Sequence, residues 1–298
     1  MRRSLLMAAL ISVATAQGAV AQPAKTIKIA TWNMAWLTDR MPGTGGEGGV
    51  PANVHHRTKS DWKLVQKYAK RLNADIVAFE EVDGIAMAKK AYGAKKYNFH
   101  TTDEPDVQKP GFAIRKGIAF TRNPDFADLD VTADQPRSLR RGADITVEVA
   151  GQTIRMLAVH LKSGCPEQSL ESSGANCPLL KQQMPILANW IKARLDEGVP
   201  FIVLGDFNRV FGDQDQFWQA MNLGGEADLA RSTAGRTSPC WAGSRPKFID
   251  HIVFGGQTRD WMRPSTFKVL VYDETKSAFK DRISDHCPQS MNLKVEKP

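Results

Sequence analysis

Cysteine is scarce in this sequence, with four residues among 298, and their spacing argues against a zinc site. No two cysteines form the C-x-x-C pair that structural zinc sites use. The glycine-rich stretch 42–49 is not followed by Gly-Lys-Ser/Thr, so it is not a nucleotide-binding P-loop. Beyond the N-terminus there is no second long apolar run, internal repeat or low-complexity linker. These absences favour a single domain.

The first 21 residues have the layout of a secretory signal peptide. Two arginines precede an apolar stretch from Leu5 to about Ala16, and Ala19-Val20-Ala21 has the A-x-A pattern of a cleavage site. The apolar stretch is short for a bilayer span, so a retained anchor is the less favoured alternative. We predict an exported protein, periplasmic or secreted, with one domain over residues 22–298 and no transmembrane segment after cleavage.

Four cysteines in an exported chain predict two disulfides, because that compartment is oxidising. The sequence alone allows three pairings. We favour Cys165 with Cys177, which closes a loop rich in serine and glycine. The second favoured pair is Cys240 with Cys287, which joins the loop around Trp241 to a later segment. A free thiol is the remaining alternative.

The formal net charge of +8 does not select a function class. A moderate positive charge suits a polyanionic or phosphorylated substrate or an anionic membrane surface. It falls short of the dense basic stripe of a dedicated nucleic-acid binder. A basic exported protein without such a partner fits the charge equally well.

Predicted strands in this chain repeatedly end in a polar residue. The apolar run 201–204 leads into Gly205-Asp206-Phe207-Asn208, where Asp206 and Asn208 lie two positions apart and therefore point to the same side. A buried carboxylate there is costly unless it meets a cation, hydrogen-bond donors or a metal. The same pattern recurs at Asn33, Glu80-Glu81, His160, Asp250 and Asp285-His286.

Strands and helices alternate along the chain, which favours an α+β or layered α/β fold. Apolar positions predict a helix that begins at Ser60-Asp61 and ends near Asn73. Segments 143–149 and 153–160 predict a hairpin. Segment 179–195 is helical in pattern, and Pro185 is expected to kink it or to mark its start.

Taken in order, the motifs resemble the endonuclease/exonuclease/phosphatase superfamily, which includes deoxyribonuclease I, the AP endonucleases, neutral sphingomyelinases and inositol polyphosphate phosphatases. The resemblance implies an α+β fold, a four-layer α/β/β/α sandwich of two packed mixed β-sheets flanked by helices. We expect a monomer without a stable protein partner. The motifs are Thr31-Trp32-Asn33, Glu80-Glu81-Val82, His160-Leu161-Lys162-Ser163, Gly205-Asp206-Phe207-Asn208, Ile249-Asp250 and Ser284-Asp285-His286.

The resemblance implies a site for Mg²⁺, or Mn²⁺, which carboxylate and amide oxygens suit. Glu81 is the implied principal ligand, assisted by Asn33 and Asp285. Adjacent strand residues face opposite sides, so we expect Glu80, where relatives commonly have Gln, to be a surface charge. By the same alternation, His251 is expected to lie outside the site.

The remaining motif residues are implied to act on the phosphoester. This chemistry needs a deprotonated oxygen nucleophile, a cation for the developing charge and a neutralised leaving oxygen. His286 is the implied general base, or the group that binds phosphate in its charged form, and Asp250 orients it. Asp206 and Asn208 are implied to position the attacking water and the scissile phosphate. His160 is implied to contact a phosphate oxygen or to protonate the leaving group.

Several basic residues outside the motifs are candidates for substrate contacts. They are His55, His56 and Arg57, which follow the glycine-rich stretch, and the pair Arg140 and Arg141 before a predicted strand. A solvated loop or a solvated pair is the alternative in each case.

The substrate is less constrained than the reaction. AP endonucleases carry an Asp shortly after the first Asn and tend to have Asn at the position of His160, so abasic-site repair is disfavoured. One hypothesis is a phosphodiesterase or nuclease of low specificity that acts on DNA or RNA. The alternative is a phosphatase or phospholipase C-like hydrolase of a phosphorylated small molecule or lipid head group. A non-catalytic binding module is disfavoured, because Glu81, Asp206, Asp250 and His286 are all present.

Overall fold

A mixed sheet of six strands forms one half of the protein in this computed structural model, which describes residues 24–44, 49–135, 138–174 and 176–297. The predicted signal peptide, residues 1–21, lies outside the described residues. The strands are β1 (Lys25–Leu37), β2 (Ile76–Val82), β3 (Tyr97–Thr101), β4 (Lys109–Arg115), β11 (Met262–Val269) and β12 (Gln289–Val295). Their order across the sheet is β11-β12-β1-β2-β4-β3, and the central pair β1 and β2 is parallel.

A second six-stranded sheet packs against the first. Its strands are β5 (Ala119–Arg122), β6 (Ala143–Val149), β7 (Gln152–His160), β8 (Phe201–Asp206), β9 (Ala230–Arg231) and β10 (Asp250–Gly255). Their order is β5-β6-β7-β8-β10-β9, with β7 and β8 parallel. The predicted hairpin is confirmed, since β6 and β7 pair antiparallel around Ala150 and Gly151, which both have positive φ.

Six helices lie between the strands of the described part of the chain, and the four longest cover the outer faces of the sheets. They are α1 (Lys59–Leu72), α2 (Gly84–Tyr92), α3 (Cys177–Asp196), α4 (Gln216–Met221), α5 (Thr258–Trp261) and α6 (Phe279–Arg282). Short 3₁₀ turns lie at Ala127–Leu129, Leu223–Gly225 and Cys240–Gly243.

Alternating side chains along the strands divide the core into three apolar layers. Residues such as Ile29 and Ile76 of the first sheet meet Met156 and Ile202 of the second, and all are buried. The opposite faces pack outward: one, with Trp32 and Phe79, against α1 and α2, and the other, with Leu157 and Phe201, against α3 and α4. This arrangement confirms the predicted four-layer α/β/β/α sandwich.

Helix α1 begins earlier than the sequence suggested, because Thr58 and not Ser60-Asp61 is its N-cap. The Thr58 hydroxyl accepts from the Asp61 amide at 3.3 Å, and the Asp61 carboxylate accepts from the Thr58 amide at 2.9 Å. This reciprocal capping box requires an acid three residues after the cap, which only Thr58 satisfies here. Asn73 ends the helix in the left-handed conformation, close to the predicted end.

Helix α3 contains Pro185 in its interior, so the prediction that Pro185 marks its start is wrong. The helix starts at Cys177, and Pro178 occupies the first turn, where a missing amide proton costs nothing.

Both favoured disulfides form: Cys165–Cys177, with Cα atoms 5.1 Å apart, and Cys240–Cys287, with Cα atoms 5.7 Å apart. None of the helices in the described part of the chain is long and apolar enough to cross a membrane.

Glu104 is a buried carboxyl group that links the two sheets, between β3 and β4. It accepts hydrogen bonds from the Thr102 hydroxyl at 2.5 Å and from the backbone amide of Arg141, which precedes β6, at 3.1 Å. Burial raises the pKa of Glu104 to about 7, although these hydrogen bonds oppose the shift. The native protein therefore holds this proton to higher pH than the unfolded chain does.

We expect Glu104→Gln to stabilise the protein at pH 8 and to have little effect at pH 4.5. Between these values the native state binds more protons at this site, so the free energy of unfolding of the wild type falls as pH rises. The raised pKa corresponds to a pH-dependent loss of about 3 kcal/mol, which the amide avoids. Urea unfolding of both proteins at both pH values measures the difference in their free energy of unfolding. Glu171→Gln, at an exposed position, is the control. If the free energy of unfolding of the two proteins differs by the same amount at both pH values, the raised pKa of Glu104 is contradicted.

Candidate functional site

The predicted polar residues meet at one edge of the sandwich, where strands from both sheets end. Asn33 lies opposite Glu80 in the parallel pair β1–β2 of the first sheet. In the second sheet Asp206 lies between His160 of β7 and Asp250 of β10. Residues 284–286, just before β12, complete the cluster. The structure thus brings together all eight predicted site residues: Asn33, Glu81, His160, Asp206, Asn208, Asp250, Asp285 and His286.

Gly205 is the residue that lets the second sheet carry a carboxylate at this edge. Its φ of 141° lies outside the range that other residues readily adopt. A Cβ atom at this position would lie 2.1 Å from the Val159 carbonyl oxygen and 3.0 Å from Glu80 Oε1. The close approach of β7, β8 and the first sheet at the site therefore requires glycine here.

Asp206 is the centre of the cluster and is 1% exposed. Its Oδ2 accepts from Asn33 Nδ2 at 3.0 Å, and its Oδ1 accepts from the Asn208 amide at 2.8 Å. Burial and the negative charge of Asp250 raise the pKa of Asp206 to about 7. Hydrogen bonds from Asn33 and the charge of His286 favour its ionised form.

His286 and Asp250 form a directly hydrogen-bonded pair. The two carboxylate oxygens of Asp250 lie 3.0 and 2.9 Å from His286 Nδ1. The other ring nitrogen, Nε2, lies 3.9 Å from Asp206 Oδ2 and 3.9 Å from Asp285 Oδ1. Burial disfavours charge on this ring, but Asp250, Asp206 and Asp285 outweigh burial and raise the pKa of His286 well above its ordinary value. This arrangement orients Nε2 toward the centre of the site.

Asn33 and the irregular last residues of β1 fix Glu81. Asn33 Nδ2 donates to Glu81 Oε1 at 3.0 Å as well as to Asp206, while its Oδ1 accepts from the Ala35 amide at 2.9 Å. The Trp36 amide donates to Glu81 Oε2 at 2.9 Å. The Asn33 amide therefore joins a carboxylate of the first sheet to one of the second.

Glu80 is fully buried, so the prediction that it is a surface charge is wrong. That prediction assumed strict alternation, but Glu81 has φ of 60° and the pairing register shifts beside it, so both acids turn inward. Glu80 accepts from the Thr31 hydroxyl at 3.1 Å. Burial, together with Asp250 and Asp206, raises the pKa of Glu80 well above its ordinary value. The Gln that relatives commonly carry there was the available signal for a buried, uncharged position.

His160 and Asn208 complete the side of the site formed by the second sheet. His160 is 3% exposed, and its Nε2 lies 3.6 Å from Glu81 Oε1 and 3.8 Å from Asp206 Oδ2. Burial and the charge of Arg140 lower the pKa of His160 well below its ordinary value, so the ring is neutral. Asn208 Nδ2 donates to the Leu161 carbonyl at 3.0 Å.

Two cavities open on the cluster and share Asp285 and His286. The larger, of about 270 Å³, is also lined by Trp36, Glu81 and Lys280. The smaller, of about 40 Å³, is lined on its outer side by Trp241, Arg245 and Lys247, among others. Asp285 is 36% exposed and lies 3.2 Å from Arg245 Nη1. The carboxylates of Glu81 and Asp285 thus face a common, solvent-accessible space.

The basic candidates outside the motifs differ in position, and the two arginines Arg57 and Arg140 are buried. Arg57 is 4% exposed and donates to backbone carbonyls, so its prediction as a substrate contact is wrong. Arg140 is buried and donates to the Leu161 carbonyl at 3.0 Å, beside the site. His55 lines the larger cavity and pairs with Asp61 at 3.0 Å.

His251 lies outside the site, as predicted. Its ring nitrogens contact the Thr233 hydroxyl at 2.7 Å and the Arg209 carbonyl at 2.9 Å.

Sequence reasoning missed the role of Ser284, whose hydroxyl donates to the Asn33 carbonyl at 2.7 Å and accepts from the His286 amide at 3.0 Å. Only its position within the Ser-Asp-His motif marked it.

The donor set fits a hard divalent cation. The carboxylates of Glu81 and Asp285 supply oxygen and no sulfur, which suits Mg²⁺ or Mn²⁺. Asn33 would add its Oδ1, which accepts from the Ala35 amide, while its Nδ2 faces Glu81. Asp206, Asp250 and His286 also offer ligand atoms within 4.8 Å of one another. The exposure of Asp285 leaves room for the waters that Mg²⁺ retains.

Solved structures with the same fold come from several organisms. TDP2 of Caenorhabditis elegans is 14% identical with a TM-score of 0.60, over 91% of this chain and 98% of that one. The human Nocturnin catalytic domain with bound sulfate is 14% identical with a TM-score of 0.57, over 93% and 95%. A mannosyl-6-phosphatase of Bacteroides thetaiotaomicron is 15% identical with a TM-score of 0.55, over 89% and 98%.

These structural likenesses support the fold, while the family follows from the sequence. No curated protein matches this sequence. The Endonuclease/Exonuclease/phosphatase family matches residues 30–286, from within β1 to His286. The chain therefore belongs to the endonuclease/exonuclease/phosphatase family, whose members are metal-dependent phosphoester hydrolases.

Proposed function

We propose that this protein is an exported, Mg²⁺- or Mn²⁺-dependent phosphodiesterase or endonuclease of low sequence specificity. The observation that carries the proposal is the Asp250–His286 pair, which directs His286 Nε2 into a cleft between two cavities. A water in this cleft would lie within reach of the oriented imidazole, which acts as general base in its neutral form. In the charged form, which the raised pKa favours, the same ring binds the phosphate.

Each remaining side chain has a role that its position supports. Glu81 and Asp285, assisted by Asn33, would hold the cation, which when bound supplies positive charge for the phosphate in the transition state. Asp206 and Asn208 position the attacking water and the scissile phosphate. His160 is neutral and buried, so of its two predicted roles a hydrogen bond to a phosphate oxygen fits, and protonation of the leaving group does not.

The shape of the cleft favours a diester over a monoester. Asp285 and His286 line both cavities, so a substrate held at these residues can extend into each of them. Each side also carries basic side chains, Lys280 in the larger cavity and Arg245 with Lys247 in the smaller. A nucleic acid strand, with successive phosphates, matches such a distribution of charge.

Hydrolysis by the mature protein, residues 22–298, distinguishes the substrate classes. We expect EDTA-sensitive nicking of plasmid DNA and turnover of bis-p-nitrophenyl phosphate with Mg²⁺ or Mn²⁺, because the cleft continues on both sides of His286. Metal-dependent turnover of p-nitrophenyl phosphate alone, with intact plasmid, would replace the diesterase by a phosphatase. Turnover of bis-p-nitrophenyl phosphate with intact plasmid would indicate a phospholipase C-like hydrolase, because that class also cleaves a diester. Absence of turnover with any metal would instead support a binding module.

Asp250→Ala and His286→Ala are each expected to lower kcat by about a hundredfold or more, the usual contribution of a general base. The reason is that Asp250 holds the ring through Nδ1 and His286 presents Nε2 to the water. Steady-state kinetics on bis-p-nitrophenyl phosphate measure the loss, and far-UV circular dichroism checks the fold. Asp196→Ala, an exposed carboxylate paired with Lys192, is the matched control. Activity within a few-fold of wild type in both site variants contradicts the mechanism.

Export is the last part of the proposal, and the two disulfides support it, because they persist in an oxidising compartment. Expressed from residue 1 in a Gram-negative host, the protein is expected in the periplasm, starting at Gln22. The intact mass identifies the first residue of the mature protein. Alkylation without reductant should label none of the four cysteines, because all four are in disulfides. A cytoplasmic protein that retains residues 1–21 contradicts export and leaves the hydrolase proposal to the kinetic tests.

A further inference from the structure

Arg57 is a buried cation without an acidic partner in its hydrogen bonds. Its guanidinium donates five hydrogen bonds, all to backbone carbonyl oxygens. Among the described residues, no carboxylate lies within ion-pair distance of it. Burial lowers the pKa of Arg57 to about 10, and Glu81 and Asp61 oppose the shift, so the side chain remains charged at neutral pH. A buried charge is costly, which raises the question of what it holds in place.

The first three carbonyls belong to the segment that follows Asn33. Arg57 donates to Met34 at 3.0 Å, to Ala35 at 2.7 Å and to Trp36 at 2.8 Å. Ala35 and Trp36 have φ of 47° and 53°, a conformation that costs free energy for residues other than glycine.

The amides of the same two residues act on the site. The Ala35 amide fixes Asn33 Oδ1, and the Trp36 amide fixes Glu81 Oε2, both at 2.9 Å. The carbonyl contacts of Arg57 therefore stabilise the strained turn whose amides orient two of the predicted metal ligands.

The other two carbonyls belong to the segment that leads into the catalytic histidine. Arg57 donates to Arg282 at 3.2 Å and to Ile283 at 3.0 Å. The next residues are Ser284, Asp285 and His286. These two segments are far apart in sequence and are also linked by the hydroxyl of Ser284, which donates to the Asn33 carbonyl.

We propose that Arg57 is a positioning residue that fixes the Asn33–Glu81 side of the site against the Asp285–His286 side. The proposal rests on the proposed hydrolase function, because it assigns the metal ligands and the general base to these two segments. Carbonyl oxygens in two different segments require donors that point in several directions, which the planar guanidinium provides. A lysine has a single ammonium nitrogen and cannot contact all of them.

Three variants test the proposal. Arg57→Lys keeps the charge but loses the fork, and Arg57→Met removes the donors altogether. Ser284→Ala removes the second link while the buried cation remains, so it tests the same coupling if Arg57→Met does not fold. Arg155→Lys is the control, because the Arg155 guanidinium also contacts a buried group, the Asp144 carboxylate, but five residues along β7 from His160.

We expect Arg57→Lys to lower kcat by about 10- to 100-fold with little change in KM, the usual effect of displacing groups that orient ligands. Mn²⁺ affinity, measured by calorimetry without substrate, is expected to fall by about tenfold or more. Hydrogen exchange should quicken in segments 33–37 and 283–288 and stay unchanged in β6 and β7. Ser284→Ala should give a smaller change of the same kind. Arg155→Lys should leave kcat, Mn²⁺ affinity and exchange in segments 33–37 and 283–288 unchanged.

The inference is overturned if Arg57→Lys and Ser284→Ala fold and match the wild type in kcat, in Mn²⁺ affinity and in hydrogen exchange. Equal losses in Arg155→Lys also overturn it, since Arg57 would then act through global stability alone. A wild-type protein that hydrolyses no phosphoester, but whose Mn²⁺ affinity falls in Arg57→Lys, refutes the proposed function and supports the positioning role.

Discussion

The burial of the Asp206 carboxyl group where the two sheets meet is the interaction on which the site depends. A carboxylate in the interior is tolerated only with donors or positive charge around it. Asn33 of the first sheet, the Asn208 amide and the His286 ring supply them. Gly205 supplies the space. Because every partner of Asp206 comes from a different strand or loop, its burial fixes their mutual positions before any substrate arrives, which is the preorganisation that electrostatic catalysis needs.

Backbone strain follows from the same requirement. Glu81, Asn208, Ala35 and Trp36 all have positive φ, and all lie at the strand ends around the site. Such conformations cost on the order of 1–3 kcal/mol each, and they persist where the surroundings leave the chain no alternative. The apolar layers on both sides of each sheet supply that constraint. The fold thus stabilises a local geometry that isolated strands would not adopt.

The sequence was sufficient for the fold and for the members of the site, because both depend on regular alternation and on ordered motifs. His251 was placed correctly, since β10 is a regular strand. Glu80 was placed wrongly because one left-handed residue, Glu81, ends the alternation, and no local pattern indicates that. Arg57 was expected either to contact substrate or to lie in a solvated loop, because a basic residue after a glycine-rich stretch is normally exposed, and it is buried instead. Its burial depends on segments more than two hundred residues away, which pattern reasoning cannot place.

Like Arg57, the disulfides hold segments of the site that have little backbone hydrogen bonding of their own. The chain between β9 and β10 contains only a short 3₁₀ turn, yet it carries Arg245 at the rim of the cleft. Such a segment has little backbone pairing to hold it, and the Cys240–Cys287 bond attaches it directly beside His286. Cys165, in turn, restrains the loop that follows His160. Covalent links and one buried cation therefore hold the loops of the site where β-sheet hydrogen bonding ends, and they do so next to the residues whose positions matter most.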